Sequence, residues 1–460
     1  MHKIEISQIK GLPAEEMGKL AELIATFNNH SAKNEIKDRY YEGKIPLSEV
    51  NLGIALPDGL MKLEIGCSWG GKTVDVLAGR SMFDGFVGIN GEIVEDLDRI
   101  AADNNLVGEY IKSCRDELKF GCVFATLSAN EEGKAKIRWH SPQTAAAKWD
   151  GEKNRIAYGF AIIDTAPDND HNWVPSVLNY YTDTSIWVIR KENGFWVAEE
   201  HPHKMGRPMM EAMIWNATSN KPFGRSRIKE PIRRLIQGYV RTVANASIGL
   251  EFATSPQKYL LGVTDEQFEA VVNNKFRQYV GSFLTATTNP ETGEKPSFGQ
   301  LQQGTIAPHV EMLRILATQF SAASGLTVTD TGVVNDANPT SSDAILAQSQ
   351  TLIQTAQQLN INNSEALKSI ALMALAITYD VSLDDLTEEQ KAVMAHFKNP
   401  AMPSVAVTAD AAVKIASVRE GFASTDVFLE MLGFDKADIR RIKSQEGRSR
   451  GMQLVTEIEG

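Results

Sequence analysis

The sequence predicts an α+β chain, and three observations predict it. Residues 120–197 are dense in β-branched and aromatic side chains and are punctuated by Asp150-Gly151 and Asn193-Gly194, the pattern of an antiparallel meander. Helical periodicity dominates on both sides of that stretch. The regular alternation of strand and helix that builds a parallel sheet is missing. At ~100–200 residues per domain, 460 residues allow two to four domains. Hydrophobic residues at 43% and charged residues at 23% exclude a disordered or fibrous chain. A net charge of −11 argues against a surface that wraps nucleic acid tightly, while leaving room for a local basic patch or a tunnel through which DNA slides. Cys67, Cys114 and Cys122 are odd in number and unevenly spaced, which points to a reducing compartment rather than a disulfide framework. The longest apolar run in a membrane-like stretch, 370–377, is far short of the ~18–20 residues of a spanning helix, and the start Met1-His2-Lys3-Ile4-Glu5 lacks a signal-type core. A soluble, non-secreted protein is expected.

Element by element, a helix begins at Pro13, with Met17, Leu20, Leu23, Ile24 and Phe27 on one face. A second helical piece over 32–42 stops at Gly43. The second half of 69–80 reads as helix, and the meander of 120–197 follows. From 227 to about 252, Ile228, Ile232, Leu235, Ile236, Tyr239, Val243, Ala246 and Leu250 recur every three or four residues, giving one long helix. A short apolar piece at 258–263, a helix-like piece at 265–280 and a turn-rich piece containing Asn289-Pro290 and Thr292-Gly293 come next. A second long helix follows Pro308, with Val310, Leu313, Leu316, Ala317 and Phe320 on one face, and ends near Gly325. Residues 326–340 are polar, small and unpatterned, too long for a simple connector. Ser341, Ser342 and Asp343 suit the N-cap of another helix, which runs to about Leu359, breaks at 360–363 and resumes over 364–379. The last 80 residues read as short helices with a basic tail.

One motif is chemically pointed. GCSWGGKT at 66–73 matches G-x-x-x-x-G-K-[ST] in full, in which Lys72 would reach phosphate oxygens and Thr73 would hold magnesium. The apolar run ending in Asp164 has the form of the matching metal-binding strand. Context speaks against the match, because a phosphate loop follows a buried, nearly continuous apolar strand. Here Leu60-Met61-Lys62-Leu63-Glu64-Ile65 alternates apolar with charged residues. The cluster Glu199, Glu200, His201 and His203 lies beside Pro202 with no second ligand group, and reads as a solvated turn rather than a metal site. Cys114 and Cys122 read as core filling, and His140 as a residue at the core edge. No G-x-S-x-G elbow is present.

Several segments, in order, resemble the portal proteins of tailed bacteriophages. They are Arg39-Tyr40-Tyr41-Glu42-Gly43-Lys44-Ile45-Pro46-Leu47; WGGKTVDVLAGR at 69–80; Lys221-Pro222-Phe223-Gly224-Arg225-Ser226-Arg227-Ile228 before the long helix; FSAASGL at 320–326; and residues 425–441. The second of these overlaps the phosphate-loop match and gives those residues a structural explanation. The resemblance implies a portal-type subunit without catalytic residues, cofactor or metal. It implies an α/β wing (1–226), a first stem helix (227–253), a small α/β clip (254–306), a second stem helix (307–325), a tunnel loop (326–340), a long kinked wing helix (341–380) and a helical C-terminal crown (381–460). The implied partners are a homo-oligomeric ring of about twelve copies, double-stranded DNA in the channel, the terminase large subunit, a head–tail adaptor and capsid or scaffold proteins, with no membrane. The implied place is the capsid portal vertex of the virion, and the host cytoplasm during assembly.

The site residues this implies fall in three groups. Thr329, Asp330, Thr331, Asn335, Asp336 and Asn338 belong to the tunnel loop, where the absence of Lys and Arg lets DNA slide. Arg225, Arg227, Lys229, Arg233, Arg234 and Arg241 at the first stem helix face only Glu230 and Glu251; Lys229, Arg233, Arg234 and Arg241 are the candidates for phosphate-facing rings or inter-subunit ion pairs. Thr287, Lys295 and Phe298 in the clip are the candidate tail-side contacts, with 285–288 and 295–298 as strands that pair across neighbours or close a hairpin. A P-loop NTPase using residues 66–73, such as a packaging motor, is the alternative.

Overall fold

The computed structural model describes residues 4, 6, 8–46, 65–88, 91–168, 171–192, 194–254, 258–261, 293, 295, 297–300, 305–332, 342–401, 405–434, 438–439 and 441–448. The chain divides into two compact units, Met1–Lys398 and Asn399–Gly460.

The first unit opens with strand β1 (Ile9–Lys10) and helix α1 (Ala14–Tyr41), followed by α2 (Trp69–Ala78), β2 (Phe83–Val87), α3 (Gly91–Asp103) and α4 (Leu106–Phe120). Eight strands come next: β3 (Cys122–Ala129), β4 (Ala135–His140), β5 (Ala145–Asp150), β6 (Arg155–Pro167), β7 (Trp173–Tyr181), β8 (Ser185–Glu192), β9 (Phe195–Pro202) and β10 (Met210–Ile214). Then follow α5 (Glu230–Thr254), β11 (Lys258–Leu261), β12 (Ser297–Gln300), α6 (Ala307–Ser324), α7 (Ser342–Tyr379), α8 (Glu388–Lys391) and β13 (Met394–Phe397).

The meander is real. Strands β5 to β9 form an antiparallel sheet in the order β9-β8-β7-β6-β5, and β1 joins its far edge in parallel. Helix α1 lays Leu20, Leu23, Ile24 and Phe27 over this sheet against Phe160, Leu178, Tyr180 and Ile189, burying all eight. The two helical pieces read from the sequence are one 28-residue helix. Asn28, within this helix, is satisfied from outside it: its amide donates to the Ile4 carbonyl (2.9 Å) and its oxygen accepts from the Ile4 N–H (3.0 Å). A second sheet, β10-β3-β4, packs with α4, α2 and α7 into the larger core. Cys67, Cys114 and Cys122 are buried, free thiols.

Helix α7 is continuous through 360–363, where the sequence suggested a break. Asn360 and Asn363 face the core and meet polar partners there. Ser81 donates to Asn360 Oδ1 (2.7 Å), and Asn363 Nδ2 donates to the Tyr110 hydroxyl (3.1 Å) and to Glu117 Oε2 (2.8 Å). A buried amide costs little when its hydrogen bonds are made. Helix α5 starts at Glu230 rather than at 227, with Arg233 N–H donating to the Lys229 carbonyl at its start (3.0 Å). Arg227 N–H donates to the Leu118 carbonyl, and Ile228 N–H donates to the Ser226 hydroxyl.

The stretch from 381 onward, expected to be helical, contains a strand. Strand β13 pairs antiparallel with β2, and Lys398 N–H donates to the Met82 carbonyl (2.9 Å), so 381–398 fold into the first unit. Phe397 and Phe83 meet edge to face, and both rings lie against Tyr110. The second unit holds α9 (Val405–Val418) and α10 (Asp426–Met431). Thr425 caps the latter by accepting from Phe428 N–H.

Candidate functional site

Helices α5 and α6 pack along one another. Ile228 just before α5 and Ile232, Ile236, Val240 and Ala244 on it are buried at fourfold spacing, and on α6 Leu316, Ala317 and Phe320 are buried. Gly238 allows the close approach, since a Cβ there would stand 3.1 Å from a Leu316 methyl. Trp69, the first residue of α2, is wedged between the pair. Its ring stacks on Phe320 (4.6 Å, 28°) and tilts against Tyr239 (4.8 Å, 48°), and it is 2% exposed.

From that wedge the chain reaches the turn that follows α6. Trp69 Nε1–H donates to the Thr331 carbonyl (3.1 Å), and the Lys72 ammonium donates to the Asp330 carbonyl. The turn is a 3-10 helix, Thr329–Thr331, closed by Asp330 Oδ2 accepting from Thr327 N–H (2.9 Å) and Thr327 Oγ1–H (2.7 Å). Arg227 completes the frame. Its guanidinium is buried and donates to the Thr73 carbonyl of α2 (2.7 Å) and to the Ser324 carbonyl at the end of α6 (2.6 Å). Burial pulls its pKa down to about 10. The tyrosines of 39–47 tie in from α1: Gln237 of α5 donates to the Tyr40 hydroxyl (2.6 Å), and the Tyr41 hydroxyl donates to Asp75 of α2 (2.9 Å).

This geometry gives Lys72 and Thr73 of the phosphate-loop match, and Gly70 beside them, roles in packing. The Lys72 amine holds the turn after α6, and the Thr73 hydroxyl donates to the Trp69 carbonyl within the helix (2.8 Å). Gly70 is required by packing, because a Cβ there would stand 2.0 Å from the Tyr40 carbonyl oxygen. Asp164 lies exposed on β6 and accepts from Thr165 N–H. A Lys72→Met variant is therefore expected to lose about 1–2 kcal/mol of stability. Thermal unfolding reads this loss. Titration with fluorescent ATP is expected to show no nucleotide binding in either protein, and tight binding abolished by the substitution would reverse the assignment.

The tunnel-loop candidates divide. Thr329 is exposed; Asp330 has its carboxylate in the turn; Thr331 is buried, with its hydroxyl donating to Val328 O (2.6 Å). Asn335, Asp336 and Asn338 lie outside the described residues. Among the stem cations, Lys229 and Arg241 are exposed, while Arg233 (2.5 Å) and Arg234 (3.1 Å) both pair with Glu230. Arg227, grouped with them from the sequence, is an internal strut, which no count of charges along the chain reveals. Phe298 sits on β12 opposite Leu260 of this chain's own β11, so that strand closes a pair within one subunit. Lys295 belongs to the described residues, and Thr287 and the rest of 285–288 lie outside them. Two secondary candidates are also placed. Glu199 and His201 sit exposed on β9, 3.6 Å apart, and no group of three metal-ligating side chains forms among the described residues. His140 is buried, hydrogen-bonded to Thr126 Oγ1 (3.1 Å) and pushed down to about 4 by burial, with the Arg138 charge adding to the shift.

The family model described as "Phage portal protein, SPP1 Gp6-like" matches residues 21–451. The chain belongs to that portal protein family. The family is structural rather than enzymatic, which agrees with the packing roles of Lys72 and Thr73. No curated protein matches the sequence. Among solved structures, the portal-family chain is similar to one from the virion of a native gene transfer agent particle (TM-score 0.44, 13% identity, 80% of this chain and 89% of that chain). It is similar also to chains from the neck of the empty particle computed with C6 symmetry (0.45, 12%, 80% and 90%) and from the neck of the native particle computed with C12 symmetry (0.43, 12%, 80% and 89%).

Proposed function

We propose that this portal-family chain assembles into a ring of about a dozen copies at one capsid vertex, with a bore that passes double-stranded DNA during packaging and ejection. The membership of residues 21–451 in the portal family carries the reading. In it, 1–226 is the wing, 227–253 and 307–325 are the stem helices, 254–306 the clip, 326–340 the tunnel loop and 341–380 the long wing helix, with 381–398 joined to the wing through β2 and 399–460 as the crown. The terminase large subunit docks during packaging and a head–tail adaptor afterwards.

The geometry around Trp69 gives the loop a rigid root. The Asp330 and Thr331 carbonyls are held to α2, so the loop's reach toward DNA begins beyond Gly332 and includes Asn335, Asp336 and Asn338. A segment without Lys or Arg brushes phosphates without holding them. Arg241 and Lys229 are the described stem cations left open to DNA or to a neighbouring copy.

The test is electron microscopy of the purified protein together with its mass by light scattering. A ring of about a dozen copies with an open channel is the expected result. A monomer that turns over ATP, and loses turnover in Lys72→Ala, would overturn it.

A further inference from the structure

A cavity of about 800 Å³ opens on the first unit between α1, the start of β3, the edge strand β5 and the segment that leads into α5. Its walls are basic. Helix α1 contributes His30, Lys33 and Lys37, and the segment before and into α5 contributes Lys221, Arg225, Lys229 and Arg233. Among the described lining residues the one carboxylate is Glu230, already paired with Arg233 and Arg234. Lys33, Lys221, Arg225 and Lys229 are exposed and form no ion pair with a described residue. This concentration of positive charge stands on a molecule whose net charge is −11.

The floor is apolar, made by Phe27, Phe124, Phe223 and the small side chains of Ala145, Ala146 and Ala147. The rings pack edge to face, Phe27 on Phe160 (5.7 Å) and Phe124 on Phe223 (5.7 Å). At the rim, Lys37 is anchored by donating to the Phe120 carbonyl (2.9 Å) and to Asn34 Oδ1 (3.1 Å). Burial, with the like charges of Arg233 and Lys33 behind it, holds its amine below the ordinary lysine range.

We propose that this groove docks an acidic segment of a partner protein, in which carboxylates alternate with apolar side chains. Carboxylates meet the lysine and arginine walls as charge-assisted hydrogen bonds, and the apolar side chains fill the phenylalanine and alanine floor. A phosphate backbone would meet the walls and leave the floor unfilled.

The probe is a short fluorescent peptide alternating glutamate with leucine, titrated by anisotropy against the assembled protein. Its glutamine counterpart and a fluorescent duplex oligonucleotide serve as comparisons. Saturable binding of the glutamate peptide is expected, weakened at least tenfold in a Lys33→Glu/Lys221→Glu variant whose melting temperature and assembly match the parent. These two lysines are exposed and touch no core, so folding is not at stake. Equal binding of the glutamine peptide, no saturable binding, or displacement of the peptide by duplex DNA at lower concentration would each overturn the proposal. So would binding to dissociated subunits alone, which would assign the groove to an interface between copies of this chain. Rings that form normally in the variant keep this result separate from the portal reading.

Discussion

Trp69→Ala is expected to destabilise the first unit by about 3–5 kcal/mol, the range for emptying a buried aromatic site. The indole fills the space between α5 and α6, and its removal leaves Phe320 and Tyr239 facing a void. It also removes the donor to the Thr331 carbonyl. Trp69→Phe separates the two contributions, because it keeps most of the ring packing and loses only the N–H; a cost of about 1–2 kcal/mol is expected there. Denaturant unfolding of both variants measures the difference. Equal losses would mean that the hydrogen bond, not the wedge, holds the helices and the turn together.

The second large effect is a pH dependence set by Glu117. Its carboxyl is fully buried, and burial pushes its pKa from 4.5 up to about 8, against which the Asn363 amide pulls only partly. The folded chain therefore keeps a proton that the unfolded chain releases. This contribution to stability is complete below the unfolded value of 4.5, declines as pH rises, and is gone above about 8. Each unit of displacement corresponds to about 1.4 kcal/mol. Glu117 Oε1 and Asn363 Oδ1 are both buried acceptors without a hydrogen-bond donor, and a proton on the carboxyl supplies the cluster with one. Glu117→Gln is expected to flatten the decline of melting temperature between neutral and mildly alkaline buffer. An unchanged slope would show that another group carries it. His140 acts in the opposite direction: its folded pKa is lowered to about 4, so the stability it contributes is lost as pH falls from 6.5 through that value.

Where the physics is local, the sequence was a good guide. Fourfold apolar spacing located α5 and α6, Gly325 closed the second of them with φ +71°, and the β-rich texture of 120–197 became an antiparallel meander. Where a residue's role depends on distant partners, the sequence misled. Asn360 and Asn363 look like a helix break until Ser81, Tyr110 and Glu117, more than 240 positions away, are seen to satisfy them. Arg227 reads as one more stem cation, yet it joins carbonyls 154 and 97 positions away. The GCSWGGKT match is the same case: its lysine is taken up by a remote turn and its threonine by the carbonyl one helical turn back. The charge alternation before the motif, the missing strand–helix alternation and the portal-like segment at 69–80 were the hints in the sequence.

The pairing of β13 with β2 bears on how the chain is cut for study. A truncation placed after Lys398 keeps the two-stranded ladder whole and removes only the second compact unit. A truncation placed ahead of Met394, at the nominal end of the long helix, strips β2 of its only partner among the described strands and bares an edge flanked by Phe83 and Phe86. Unpaired, aromatic edges recruit other chains. The shorter fragment is thus the one to avoid, since its aggregates would be mistaken for assembly.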